Sequence, residues 1–263
     1  MSRYTSFIDN MLEVVAGERY IDAVLLAGSF QKGNCDSYSD IDLVFCIDED
    51  NYNDYFSQSR CLLSRFGELY FCFPGDHVQE ERLIICLYGK ELLHVDIKFV
   101  TLTQRNISLT ELDVLWARDY TKINEFLSNR KSVCTDKSIE WFNERVWVWL
   151  HNCICKYHRG ELFEAINILN MIRVNILGPM VSLLNGGVQR GVRYIDFLHS
   201  TEKGLLSKTV ASYSKVSIFL AIRATLNLYE FMYYKIKCDN DIKCISTRIR
   251  EVLMRGNIHS AES

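Results

Sequence analysis

Proline is nearly absent: Pro74 and Pro179 are the only two in 263 residues. No stretch is rich in glycine, serine or proline, so no segment has the composition of a disordered linker. An excess of one charge is missing as well, with 30 Lys and Arg against 33 Asp and Glu and a formal net charge of -3. Nucleic-acid binders usually show a basic excess or a dense basic stripe, so the expectation is no nucleic-acid partner. Charges interrupt the apolar runs well short of a membrane span. Met1-Ser2-Arg3-Tyr4 does not open a signal peptide, so the expectation is no leader and no membrane partner. The ten cysteines lack metal-ligand spacing: Cys153-Ile154-Cys155 is not a zinc knuckle, and Cys238 and Cys244 stand without partners. Cys46, Cys86 and Cys153 sit in apolar company and read as buried, reduced thiols. That pattern points to a reducing, cytoplasmic compartment.

What is present is an ordinary globular composition, 48% hydrophobic and 24% charged, with length for one large or two modest domains. Residues 1–16 carry Ile8, Met11, Leu12 and Val15 on one helical stripe. Strands are expected at 21–27, 41–47, 68–73, 82–88 and 92–100, with a helix at 52–65 and a hairpin through Gly89-Lys90. Beyond about Trp116 alternation gives way to the 3.6-residue period. Helices are expected at 107–116, 138–158, 162–184, 190–198, 205–235 and 239–254, with stops at Gly160 and Gly186-Gly187. The boundary between the two patterns falls near residues 104–137.

The sharpest stretch runs from Gly28-Ser29 to Asp40-Ile41-Asp42. Glycine lets backbone approach a phosphate, and the Ser29 hydroxyl can donate to it. Lys32 reads equally as a triphosphate contact or a solvated lysine. Asp40 alone would be a turn residue. Asp42 lies inside an apolar strand on the same face, where a lone carboxylate is costly to bury. A cation would relieve both. Asp96 interrupts another apolar strand, sharing a face with His94 and Lys98. Its plain reading is a sheet residue paired with a base. If its strand adjoins that of Asp42, three carboxylates converge, as metal-assisted phosphoryl transfer requires.

Gly28-Ser29-Phe30-Gln31-Lys32-Gly33, the run Asp36-Ser37-Tyr38-Ser39-Asp40-Ile41-Asp42, and Asp96 together resemble the polymerase-β-type nucleotidyltransferase superfamily. Within it the chain is similar to the antibiotic (lincosamide and aminoglycoside) nucleotidyltransferases. The resemblance implies an α+β fold: a catalytic domain over residues 1–104, with a small mixed sheet flanked by helices, then an α-helical bundle over 105–263. It implies Mg²⁺ on Asp40, Asp42 and Asp96, with Asp96 as general base. Gly28, Ser29 and Lys32 would hold the nucleotide. The partners implied are a nucleoside triphosphate, a small-molecule hydroxyl acceptor and a second copy of the chain as a homodimer. Alternatives are a protein-modifying, antitoxin-like transferase and a nucleotide-binding module without turnover. Arg145 and His151 also have the spacing seen in helical ribonucleases. In the second half, Trp141, Phe142, Trp147 and Trp149 read as core packing. Lys156, Arg173 and the group Arg190, Arg193, Tyr194 and Asp196 read as solvated faces or substrate contacts.

Overall fold

The computed structural model describes residues 3–31, 33, 35–103, 111–129, 136–239 and 241–255. They divide into two compact units, Met1–Cys134 and Thr135–Ser263.

In the first unit, helix α1 (Arg3–Ala16) buries Tyr4, Phe7, Met11 and Val15, an i, i+3, i+4 stripe. Strand β1 (Ile21–Ala27) runs into a single turn, α2 (Gly28–Gln31), and the chain returns through β2 (Ile41–Ile47). Short helices α3 (Tyr52–Ser57) and α4 (Ser59–Leu63) replace the one helix expected over 52–65. Strands β3 (Leu69–Gly75), β4 (Glu80–Tyr88) and β5 (Leu93–Val100) follow, then β6 (Asp113–Ala117) and helix α5 (Tyr120–Asn129). The strands form one sheet in the order β3-β4-β5-β2-β1-β6. Only β2 and β5 pair in parallel; the other neighbours are antiparallel.

Alternation sorts the strands onto two faces. Ile41, Leu43, Phe45, Val95, Ile97 and Phe99 pack with α1 and α4 on one. On the other, Ala23, Leu25, Val44 and Cys46 pack with Ile123 and Phe126 of α5. The helix expected over 107–116 is corrected at its described end: Asp113–Ala117 is a strand, paired with β1. This pairing takes β6 and α5 into the first unit.

The second unit is helical. α6 (Ile139–Arg159) starts where Ser138 Oγ accepts from Trp141 N at 3.2 Å and stops at Gly160, whose φ of 78° is left-handed. α7 (Leu162–Ile172), a π-turn over Arg173–Leu177, and α8 (Gly178–Leu184) run on continuously. This 23-residue segment, of mean hydropathy 1.3, is long and apolar enough to cross a membrane by length and composition alone, with Glu164 and Arg173 interrupting it. Here Ala165, Ile168, Leu169, Ile172, Ile176 and Leu177 are buried in the helical core. α9 (Thr201–Ser207), α10 (Lys215–Lys237) and α11 (Lys243–Arg255) complete the unit. The single helix expected over 205–235 is broken, and α10 restarts at Ser214, whose hydroxyl accepts from Ser217 N. Residues 190–198 form turns and a short 3₁₀ segment, with Tyr194 left-handed at φ 65°. The tryptophans pack as expected: Trp147 is buried, and Trp141 and Trp149 meet edge to face at 6.2 Å.

Candidate active site

Sheet register brings the three aspartates together. In the parallel pair of β2 and β5, Asp42 stands opposite Asp96. Asp40, one residue ahead of β2, shares the face of Asp42. One carboxylate oxygen from each lies within 4.8 Å of the other two. The adjacency of strands on which the third carboxylate depended is therefore present.

The loop before β2 is built to deliver Asp40. Asp36 Oδ1 accepts from Tyr38 N at 2.8 Å, and Asp36 N donates to Ser39 Oγ at 2.9 Å, closing a tight Asx turn. Tyr4 of α1 reaches across to donate to the Asp36 carbonyl at 2.9 Å. The small polar residues of this run hold its backbone in place.

Gly28 follows β1 directly, where Ala27 pairs with Asp42. Its φ is +72°, and a Cβ there would lie 1.8 Å from Asp42 Oδ2. Glycine is thus required both by conformation and by the carboxylate lying against it. The neighbouring Ser29 Oγ is buried and has no hydrogen-bond partner among the described residues. Buried hydroxyls normally find partners, so an acceptor such as a phosphate oxygen would satisfy it.

Asp96 is partly buried, and His94 Nε2 lies 2.9 Å from its Oδ1. Burial pushes the Asp96 carboxyl above its ordinary value; His94 opposes this, Asp40 adds to it, and His77 opposes it more weakly. The net direction is upward. Crowded carboxylates raise one another's affinity for protons and for hard cations alike. The donor set is all oxygen, as Mg²⁺ prefers, so the residues present fit that ion.

Lys32 lies outside the described residues. Lys156 is paired with Glu161 at 2.6 Å, and Arg173 donates to Thr209 and Asn170. Arg173 and Asp196 line a cavity of about 800 Å³ within the helical unit, together with Val192, Ile195 and Lys203. Arg145 lies over the Trp141 ring at 4.2 Å and bonds Glu144. Six residues separate it from His151, which turns the two about 120° apart on the helix. They form no joint site. His77, which nothing in the sequence singles out, sits in a 3₁₀ turn at Asp76–Val78 with its ring 5.7 Å from Phe73.

No curated protein matches this chain. Among solved structures, an aminoglycoside 6-adenyltransferase from Bacillus subtilis aligns at 12% identity and a TM-score of 0.43, covering 95% of this chain and 99% of that one. A nucleotidyltransferase-like protein from Exiguobacterium sibiricum aligns at 10% identity and a TM-score of 0.31, covering 99% of this chain and 92% of that one. The model of the streptomycin adenylyltransferase family matches residues 1–231. On that match, the chain belongs to the streptomycin adenylyltransferase family and is a nucleotidyltransferase.

Proposed function

We propose that this enzyme transfers a nucleoside monophosphate, AMP from ATP as its family's name indicates, to a hydroxyl of a small molecule, with release of pyrophosphate. The observation that carries this reading is the cluster of Asp40, Asp42 and Asp96 with oxygens within 4.8 Å, next to the unpartnered Ser29 hydroxyl. Asp40, Asp42 and Asp96 would hold Mg²⁺, which when bound offsets the charge of the triphosphate. Ser29 Oγ donates to a phosphate oxygen, and Gly28 leaves room for the nucleotide beside Asp42. Asp96, its affinity for protons raised, accepts the proton of the attacking hydroxyl. The acceptor oxygen bonds to the α-phosphorus as the bond to pyrophosphate breaks. Holding the two substrates in line supplies a large share of the rate. An aminoglycoside hydroxyl is the acceptor class the family name offers, and the reaction belongs in the cytoplasm, where ATP and Mg²⁺ are plentiful.

Pyrophosphate release with Mg²⁺, each nucleoside triphosphate and a panel of aminoglycosides and lincosamides tests this. Release is expected with ATP and one acceptor, and its rate should fall at least a thousandfold in Asp40→Asn. Equal release from that variant would overturn the assignment.

A further inference from the structure

Two cysteines meet at the edge of the sheet, away from the carboxylates. Cys72 of β3 stands directly opposite Cys86 of β4. Among the described residues no other two cysteines oppose each other on paired strands. Directly opposed residues share a sheet face. Cys86 is buried in the core on that face, and Cys72 packs against the same core while partly exposed. Pro74 reveals the geometry of the pair. It stands opposite Ile84 and has no N–H. A hydrogen-bonded antiparallel pair needs an N–H from each residue, so Pro74 and Ile84 form a non-hydrogen-bonded pair. The two kinds alternate along the ladder, and no register shift falls between Cys72 and Pro74. Cys72 and Cys86, two steps on, are therefore a non-hydrogen-bonded pair as well. Such pairs hold their Cα atoms about 4.5 Å apart, with the side chains drawn close. That lies within the span of about 4.4 to 6.8 Å that a disulfide bridges. Both thiols are free.

We propose that Cys72 and Cys86 are a reversible dithiol–disulfide site, closed by a small-molecule disulfide such as oxidised glutathione, that fastens the edge of the sheet. β3 is the outermost strand and bonds to the sheet through β4 alone. A bond between the two sulfurs would hold that edge covalently. The thiols differ in access and in acidity. Cys72 reaches solvent, whereas burial pushes the Cys86 thiol up to about 12. Only a thiolate attacks a disulfide, so Cys72 reacts first. Its sulfur bonds to one sulfur of the small disulfide as that S–S bond breaks, and one thiolate leaves. Cys86 then gives its proton to solvent and attacks the Cys72 sulfur, expelling the second thiolate. The protein dithiol is oxidised, and the small disulfide is reduced to two thiols. In a reducing cytosol the balance lies with the open dithiol, and oxidation of the thiol pool closes it. The site stands apart from the transfer reading and does not depend on it.

The test uses the full chain, reduced, freed of reductant and incubated with oxidised glutathione. Remaining thiols are alkylated, and the peptides are mapped by mass spectrometry without reduction. Wild type should give one peptide pair joined through Cys72 and Cys86, lighter by two hydrogens and reopened by dithiothreitol. Cys86→Ala should carry glutathione on Cys72, and Cys72→Ala should leave Cys86 a free thiol. Amide hydrogen exchange over Leu69–Gly75 should slow severalfold on oxidation of wild type and in neither variant. Wild type that keeps glutathione on Cys72 beside a free Cys86, leaves both thiols free, or joins either to another cysteine overturns the site. Glutathione on Cys86 in Cys72→Ala overturns the order of attack, and a joined pair with unchanged exchange overturns the fastening. The wild-type map decides the site by itself, so a variant that failed to fold would not shield the proposal.

Discussion

At the scale of single residues the site depends on side chains that are absent as much as on those present. Gly28 shows this best. Adding one methyl group places it 1.8 Å from Asp42 Oδ2, at a φ of +72° that disfavours any Cβ. Gly28→Ala should therefore displace Asp42, weaken Mn²⁺ binding at least tenfold and abolish transfer; a metal titration checks it. A second residue-scale prediction concerns Glu80. Lys98, buried on the sheet, approaches Glu80 at 2.5 Å and Arg82 approaches it at 2.7 Å. Burial pushes the Glu80 carboxyl upward, but the bonds from Arg82 and Lys98 outweigh it and bring it from 4.5 down to about 2. A carboxyl held lower in the folded state stabilises that state above its unfolded value and loses the contribution as pH falls. The loss runs from about 4.5 to about 2. Urea midpoints for Glu80→Gln should be lower than wild type at neutral pH, and the gap should close across this window. Asp40 and Asp42 were legible in the sequence because a two-residue period fixes a common face. The Glu80 pair with Lys98 was not: Lys98 comes from β5, which only strand pairing brings near.

At the scale of elements, caps and periods decided what could be read. Ser138 and Gly160 bound α6 almost where the sequence placed its ends, because one accepts from a free N–H and the other adopts φ 78°. A Cβ at Gly160 would meet nothing within 4 Å, so Gly160→Ala should cost conformational strain alone, about 1 kcal/mol. Thermal unfolding of that variant measures it. The misreadings have a shared cause. Asp113–Ala117 has apolar residues compatible with either period, and pairing with β1 decides for a strand. The break before α10 rests on a Ser214 cap that looks like any other serine among the polar residues of 207–217. Residues 190–198 carry a helical pattern, yet Tyr194 at φ 65° stops a helix there.

At the scale of the whole molecule, the candidate site falls in one unit. Asp40, Asp42, Asp96 and the Gly28 turn all belong to Met1–Cys134. Composition located the change from sheet to helix but not the end of the sheet, since β6 closes its edge after the long interval following β5. The convergence of three aspartates was legible only as a condition on strand order, and the parallel pairing of β2 and β5 meets it. The central claim is that these carboxylates carry nucleotidyl transfer. Mass spectrometry of the acceptor after incubation with MgATP tests it most directly, comparing wild type with Asp42→Asn. The account predicts an acceptor heavier by one adenylyl group with wild type and unchanged mass with the variant. An adenylylated acceptor formed equally fast by Asp42→Asn would contradict it.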